Sequence, residues 1–200
     1  MALSLSICPQ PLRRVSVIGN SGAGKSTFAR KLALKLDVPH LELDAINWQP
    51  GWTQLSRDDF RAAVSSHLES TQYAAGWVVD GNYGKGQDLV WDAADTIVWL
   101  DPPRYMSMLQ LLWRCVVRTV TQQSLWGTGN VETWSQLLST DPTRSVLAYA
   151  WQNYHRHRRR VQEQMCEVTH VQWVTLHSRL DTARFLEAVL AVAAGRVRSP

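Results

Sequence analysis

The residues best suited to chemistry lie together near the start of the chain, as Gly19-Asn20-Ser21-Gly22-Ala23-Gly24-Lys25-Ser26 followed by Thr27. This run satisfies the pattern G-x-x-x-x-G-K-[ST], and its spacing has a physical reason. Glycines let the backbone curl into a nest whose N–H groups converge on phosphate oxygens. A helix beginning at the same point adds the positive end of its dipole. Lys25 then reaches the β- and γ-phosphates, the Ser26 hydroxyl is placed to ligate Mg²⁺, and Thr27 adds a contact to an inner phosphate.

Acids and guanidiniums that could complete such a site lie further along. Asp80 closes the apolar run Trp77-Val78-Val79, where a carboxylate either orients a metal ion or caps the next turn. Asp44 follows a second apolar run and either takes a substrate hydroxyl's proton or caps a helix from Ala45 onward. Arg114 and Arg118 are four residues apart. On a helix they share one face, which would neutralise a phosphoryl group in transfer or merely be a solvated basic face. Arg104 is a weaker candidate of the same kind. Arg156-His-Arg-Arg-Arg160 is the densest basic run and fits phosphates, nucleic acid or an exposed helix face. It has no interleaved aromatic ladder for single strands and no helix-turn-helix or zinc-finger signature. Trp48 and Trp52, beside Pro50-Gly51, form a candidate stacking wall.

These side chains need a scaffold. The periodicity predicts strands over Arg14–Gly19, His40–Leu43, Trp77–Asp80, Thr96–Asp101 and Val168–Leu176. It predicts helices over 26–36, 57–69, 104–120, 143–165 and 182–193, with Ser56 capping the second. Hydrophobic strands alternating with helices specify a three-layer α/β/α sandwich around a five-stranded parallel sheet. Gly19, Asp44, Asp80 and Asp101 all fall at the carboxyl ends of strands, where such sheets bind ligands. The polar, Gly/Thr/Asn-rich stretch 121–143 reads as a small lid inserted in the single domain 1–200.

Composition sets the bounds. Two hundred residues, 45% hydrophobic and 19% charged, make one globular domain and exclude a disordered chain. No run approaches a membrane span, and Met1–Pro11 lacks the basic-then-apolar order of a secretory signal. Cys8, Cys115 and Cys166 are far apart and have no zinc spacing. This points to a cytoplasmic protein without a disulfide scaffold. Residues 1–103 carry 9 Lys+Arg against 11 Asp+Glu, whereas residues 104–200 carry 12 against 6. The net +4 is therefore concentrated in the second half, which would suit a phosphate-bearing partner.

Taken with Leu43-Asp44, Trp48-x-Pro50-Gly51-Trp52, Trp77–Tyr83, Ala94–Asp101, Pro103-Arg104, the Arg114/Arg118 pair, Gly129–Glu132 with Trp134 and the Trp151–Arg160 helix, the Gly19–Thr27 loop resembles an adenylate-kinase-like phosphate-loop family, the DNA topology modulation proteins. The resemblance implies a nucleoside-monophosphate-kinase-like fold with a lid, and ATP as ligand. Asp80-Gly81 is similar to the opening of an adenylate kinase segment, but Asn82-Tyr83-Gly84 replaces the arginine that holds a nucleotide's α-phosphate. Lys85 is the nearest substitute, a point charge in place of a fork. This departure argues against AMP as acceptor.

The resulting expectation is an ATP- and Mg²⁺-dependent kinase acting on a small-molecule acceptor. Lys25, Arg114, Arg118 and Asp44 would carry the transfer, residues 19–27 would hold the nucleotide, and Ser26 with Asp80 would hold the metal. The alternative is an ATP-binding regulator that acts on DNA topology through its basic surface; nucleic acid is the less favoured partner.

Overall fold

The computed structural model describes residues 12–193; Met1–Pro11, including Cys8 and the segment read as lacking a secretory signal, lies outside the described residues. Strand β1 (Arg14–Gly19) runs into helix α1 (Lys25–Leu36). Strand β2 (His40–Glu42) leads into a short helix α2 (Leu43–Asn47). Strands β3 (Trp48–Gln49) and β4 (Thr53–Gln54) then form an antiparallel hairpin around a 3-10 turn at Pro50–Trp52. Helix α3 (Arg57–Glu69), strand β5 (Trp77–Asp80), helix α4 (Gln87–Ala93), strand β6 (Thr96–Leu100) and helix α5 (Arg104–Thr121) follow. A short helix α6 (Trp134–Leu137), a long helix α7 (Val146–Glu167), strand β7 (Gln172–Leu176) and helix α8 (Arg179–Ala193) complete the described chain.

Five strands make one parallel sheet in the order β2-β5-β1-β6-β7. Side chains alternate along each strand, so every strand feeds two cores. Trp77 and Val79 of β5 and Ile97 and Trp99 of β6 pack with Phe60, Val64 and Val161 on one face. Val78, Val98 and Leu100 pack with Phe28, Leu32 and Phe185 on the other. The result is the expected three-layer α/β/α sandwich. Ser56 caps α3, its Oγ accepting the Asp59 N–H at 3.1 Å.

Several boundaries differ from the sequence reading. Asp44 does not end a strand: β2 stops at Glu42 and Asp44 lies in the first turn of α2. The fifth sheet strand starts at Gln172, because α7 extends to Glu167 through a run of Arg, Gln and Glu that favours helix. Helix α4 has no counterpart among the elements that periodicity predicts. Its buried side chains, Val90 and Trp91, are adjacent and leave no 3.6-residue period in the sequence. Cys115 is buried, Cys166 is exposed, and both are free thiols. Among the described residues no helix is long and apolar enough to cross a membrane.

Candidate active site

The strand register brings the chemistry together. Glu42 lies beside Asp80 across β2 and β5, and Asp80 lies beside Val17, two residues before Gly19. The carboxyl ends of the three strands therefore lie side by side at the Gly19–Ser26 turn, and the space they border is the candidate crevice. That turn is built for close approach. Gly24 caps α1 in the left-handed region (φ 90°) and no side chain caps the helix. The first amides of α1 consequently have no partner within the helix. Gly22 (φ 81°) lies so close to α5 that a Cβ there would sit 2.2 Å from the Ser107 carbonyl oxygen. The loop is also held from β5: the Asn82 side-chain amide accepts the Gly19 N–H at 3.2 Å and donates to the Gly19 carbonyl.

Ser26 and Asp80, the expected metal ligands, are joined, the Ser26 hydroxyl donating to Asp80 Oδ2 at 2.7 Å. The other oxygen of this buried carboxylate, Oδ1, meets His40 Nε2 at 2.6 Å. His40 opens β2 and was not singled out in the sequence, where it is only a residue after a proline. Lys25 bends over the loop, its Nζ donating to the Asn20 carbonyl at 3.2 Å. Withdrawal of this ammonium from water pulls its pKa down, as does the neighbouring Arg114, while the Asp44, Asp80 and Glu42 carboxylates oppose the shift. Thr27 is exposed.

Asp44 faces the same space from α2. Its Oδ1 accepts the Tyr83 hydroxyl at 2.6 Å, and burial beside this carboxylate pushes the Tyr83 phenol well up, keeping it neutral. Among the described residues no hydrogen bond occupies Asp44 Oδ2. Lys85, the nearest substitute for a phosphate-holding arginine, is engaged within the protein. Its Nζ donates to Asn47 Oδ1 at 2.6 Å and to the Leu55 carbonyl at 2.7 Å, over the Phe60 ring, tying α2 to the chain beyond.

The two α5 arginines have different surroundings. Arg114 lies near Lys25, and its Nε is buried without a hydrogen-bond partner. Arg118 pairs with Glu132 of the 121–143 segment, Nη1 to Oε1 at 3.1 Å. Arg104 stacks on Trp151 at 3.5 Å and donates to its carbonyl at 2.7 Å, serving the α5–α7 contact. Residues 121–143 dock on the tryptophan hairpin. Trp48, Trp52 and Trp126 make successive edge-to-face contacts at 5.6 and 6.2 Å. Trp126 Nε1 donates to Glu42 at 3.1 Å. Asn130, buried, accepts the Trp52 N–H at 3.0 Å and donates to the Gln49 carbonyl at 2.9 Å.

The basic run of α7 is divided rather than presented as one surface. Arg158 turns to the buried Asp101, Nε to Oδ2 at 3.0 Å. His157 points toward Asn82 at 3.4 Å; burial, with Lys25 and Arg160 nearby, pushes its pKa down to about 4. Arg156, Arg159 and Arg160 are exposed.

A parallel sheet ordered 2-3-1-4-5 in its large strands, with the glycine-rich loop and α1 at its central strand, is the phosphate-loop nucleotide-binding fold found in kinases. In fold the chain is similar to a gluconokinase from Sinorhizobium meliloti 1021, at 18% identity and TM-score 0.50, the match covering 94% of this chain and 96% of that one. It is also similar to a shikimate kinase from Acinetobacter baumannii in complex with shikimate, at 16% identity and TM-score 0.53, covering 92% and 94%. No protein-family model matches the sequence, and no curated protein matches it.

Proposed function

We propose that the protein is a kinase that moves the γ-phosphoryl group of Mg-ATP onto a hydroxyl of a small-molecule acceptor. The observation that carries this reading is the convergence of Lys25, the Ser26–Asp80 pair, Arg114 and Asp44 on one crevice around the glycine loop. The residues fit the nucleotide and its metal. Helix α1 lacks a side-chain cap, and a hydroxyl and a carboxylate oxygen 2.7 Å apart are hard donors of the kind Mg²⁺ uses beside phosphates and water. Among the described residues no group of three or more His, Cys, Asp or Glu forms a protein cage for a metal, and Mg²⁺ bound with a nucleotide does not need one.

The metal ion with the triphosphate supplies the electrophilic phosphorus and a neutralised leaving group. The remaining work falls to the chain. The loop amides and Lys25 orient the phosphates, and Asp80, steadied by His40, orients Ser26. Arg114, whose buried Nε has no protein partner, meets the charge on the group in transfer. As the acceptor oxygen bonds to the γ-phosphorus and the bridge to the β-phosphate breaks, Asp44 Oδ2 takes the acceptor's proton. Residues 121–143 act as the lid that excludes water, with the tryptophan hairpin as the opposite wall. Arg118 is delivered from its Glu132 partner on the same segment.

The two solved structures named above are a gluconokinase and a shikimate kinase, which agrees with a kinase reading without naming an acceptor here. A DNA-directed role rests on Arg156, Arg159 and Arg160, whereas Arg158 is committed to Asp101 and Arg104 to Trp151. That division of the basic run favours the kinase.

Thermal shift tests the first half of the proposal. Mg-ATP at ~100 times its dissociation constant should add about 2.7 kcal/mol, a rise of roughly 5–11 °C at this size. Lys25→Ala should lose most of the rise, and absence of a wild-type shift would count against any nucleotide role. ADP release across a panel of sugars, polyols and nucleosides tests the second half. Release that depends on one class of acceptor supports a kinase, while acceptor-independent binding accompanied by salt-sensitive DNA retention would favour the regulator.

A further inference from the structure

A helix packed on one side of a monomer should be polar on the other, and α5 is not. Its inner face carries Ser107, Leu111, Cys115 and Thr119, all buried. Its outer face presents Tyr105, Leu109, Leu112, Trp113, Val117 and Val120, each between 36 and 71% exposed. Apart from the adjacent Leu112 and Trp113, these residues recur at intervals of three and four, so they form one stripe along a helix of 18 residues, roughly 27 Å long. No charged residue lies among them. Arg104 is turned to Trp151, and Arg114 and Arg118 are turned to the crevice and to Glu132.

We propose that this stripe is the contact surface of a homodimer, α5 against the α5 of a second copy across a two-fold axis. Size argues for that occupant, and the stripe's lack of charge permits it. Six large side chains at these exposures offer about 600 Å² of mostly apolar surface, close to the ~800 Å² that each partner contributes to a standard interface. It stands at the top of the range for the largest apolar patch on a monomer, and patches of that size are often functional. A chain of net charge +4 repels its own copy, and a contact stripe without charge removes that repulsion from the closest approach. A membrane surface fits less well, because an interfacial helix flanks its apolar face with Lys and Arg, whereas the α5 arginines are engaged on the opposite side. A two-fold contact is self-complementary, and Leu112 and Trp113 stand at the middle of the stripe, so each meets its own counterpart or the other's.

The experiment is sedimentation equilibrium of the full chain without nucleotide, which keeps its outcome independent of the kinase reading. The wild type should give twice the 22.7 kDa chain mass at micromolar concentration. Trp113→Glu should weaken association by at least about thirtyfold, the scale of losing one central aromatic anchor. Leu112→Glu and Leu112→Arg should each sediment as monomers, and an equimolar mixture of the two should recover the dimer mass. Circular dichroism melts of every variant establish that the chains are folded. A monomeric wild type would overturn the proposal, including one that instead pelleted with anionic vesicles or associated only with another protein. A dimer indifferent to all three substitutions would overturn it equally.

Discussion

Asn82 shows how much a single side chain does here. It bonds both peptide groups of Gly19 and so holds the mouth of the glycine loop to the end of β5. Asn82→Ala should leave the fold intact at a cost of about 1–2 kcal/mol, the range for two lost hydrogen bonds in a half-buried site. It should weaken Mg-ATP by about tenfold or more, because a loosened loop must be ordered at binding; titration calorimetry with a parallel denaturant melt separates the two effects. His157 gives a pH signature. Its pKa is near 4 in the folded protein and about 6.5 in an unfolded chain. Between those values the unfolded state binds more protons, so stability supplied by neutral His157 is complete above pH 6.5 and is lost as pH falls toward 4. Wild type minus His157→Gln, followed by urea melts across that window, should fall by about 1–2 kcal/mol. Residues of this kind were the least legible from sequence. Lys25, Ser26 and Asp80 stand in a spaced pattern that chemistry explains, whereas His40, Asn82 and His157 acquire partners through distances that the chain order does not encode.

At the scale of elements, the sheet and its major helices were readable because each buries a periodic face, as Phe28 and Leu32 do on α1 and Trp77 with Val79 on β5. Short elements were not. Helix α2 carries Asp44 off the end of β2 with five residues, and α4 buries two adjacent side chains, too few to establish a period. The segment 121–143 is the clearest case. Its glycines and threonines marked it as irregular, but its contact with the β3–β4 hairpin depends on Asn130 and Trp126, and neither polar nor aromatic residues there carry a periodic signal. Asn130→Ala removes both hydrogen bonds to the hairpin while touching no proposed catalytic group. Hydrogen exchange should then rise by about tenfold or more in residues 125–133 and at Trp52, with β1 and β5 unchanged. Equal protection in the variant would mean that the tryptophan contacts alone hold the segment.

For the whole molecule, the sequence reading of an α/β/α sandwich with a central phosphate loop agrees with the sheet order and with the fold of two solved kinases. The identity of the acceptor is not readable in the same way, because a pocket's shape depends on how loops meet, and a fold hosts many chemistries. The charge asymmetry between the halves has a structural account in part: the excess of arginine in the second half is divided among Asp101, Glu132, Trp151 and the crevice, with Arg156, Arg159 and Arg160 left to solvent. Asn130 bridges Gln49 and Trp52, so segment 121–143 is fastened to the tryptophan hairpin by two hydrogen bonds. If that segment serves as the lid of the proposed kinase, every cycle would begin by parting this seam and end by parting it again. Turnover would then be paced by that gate, slowing in a thicker solvent, while the bond-making step waits behind it.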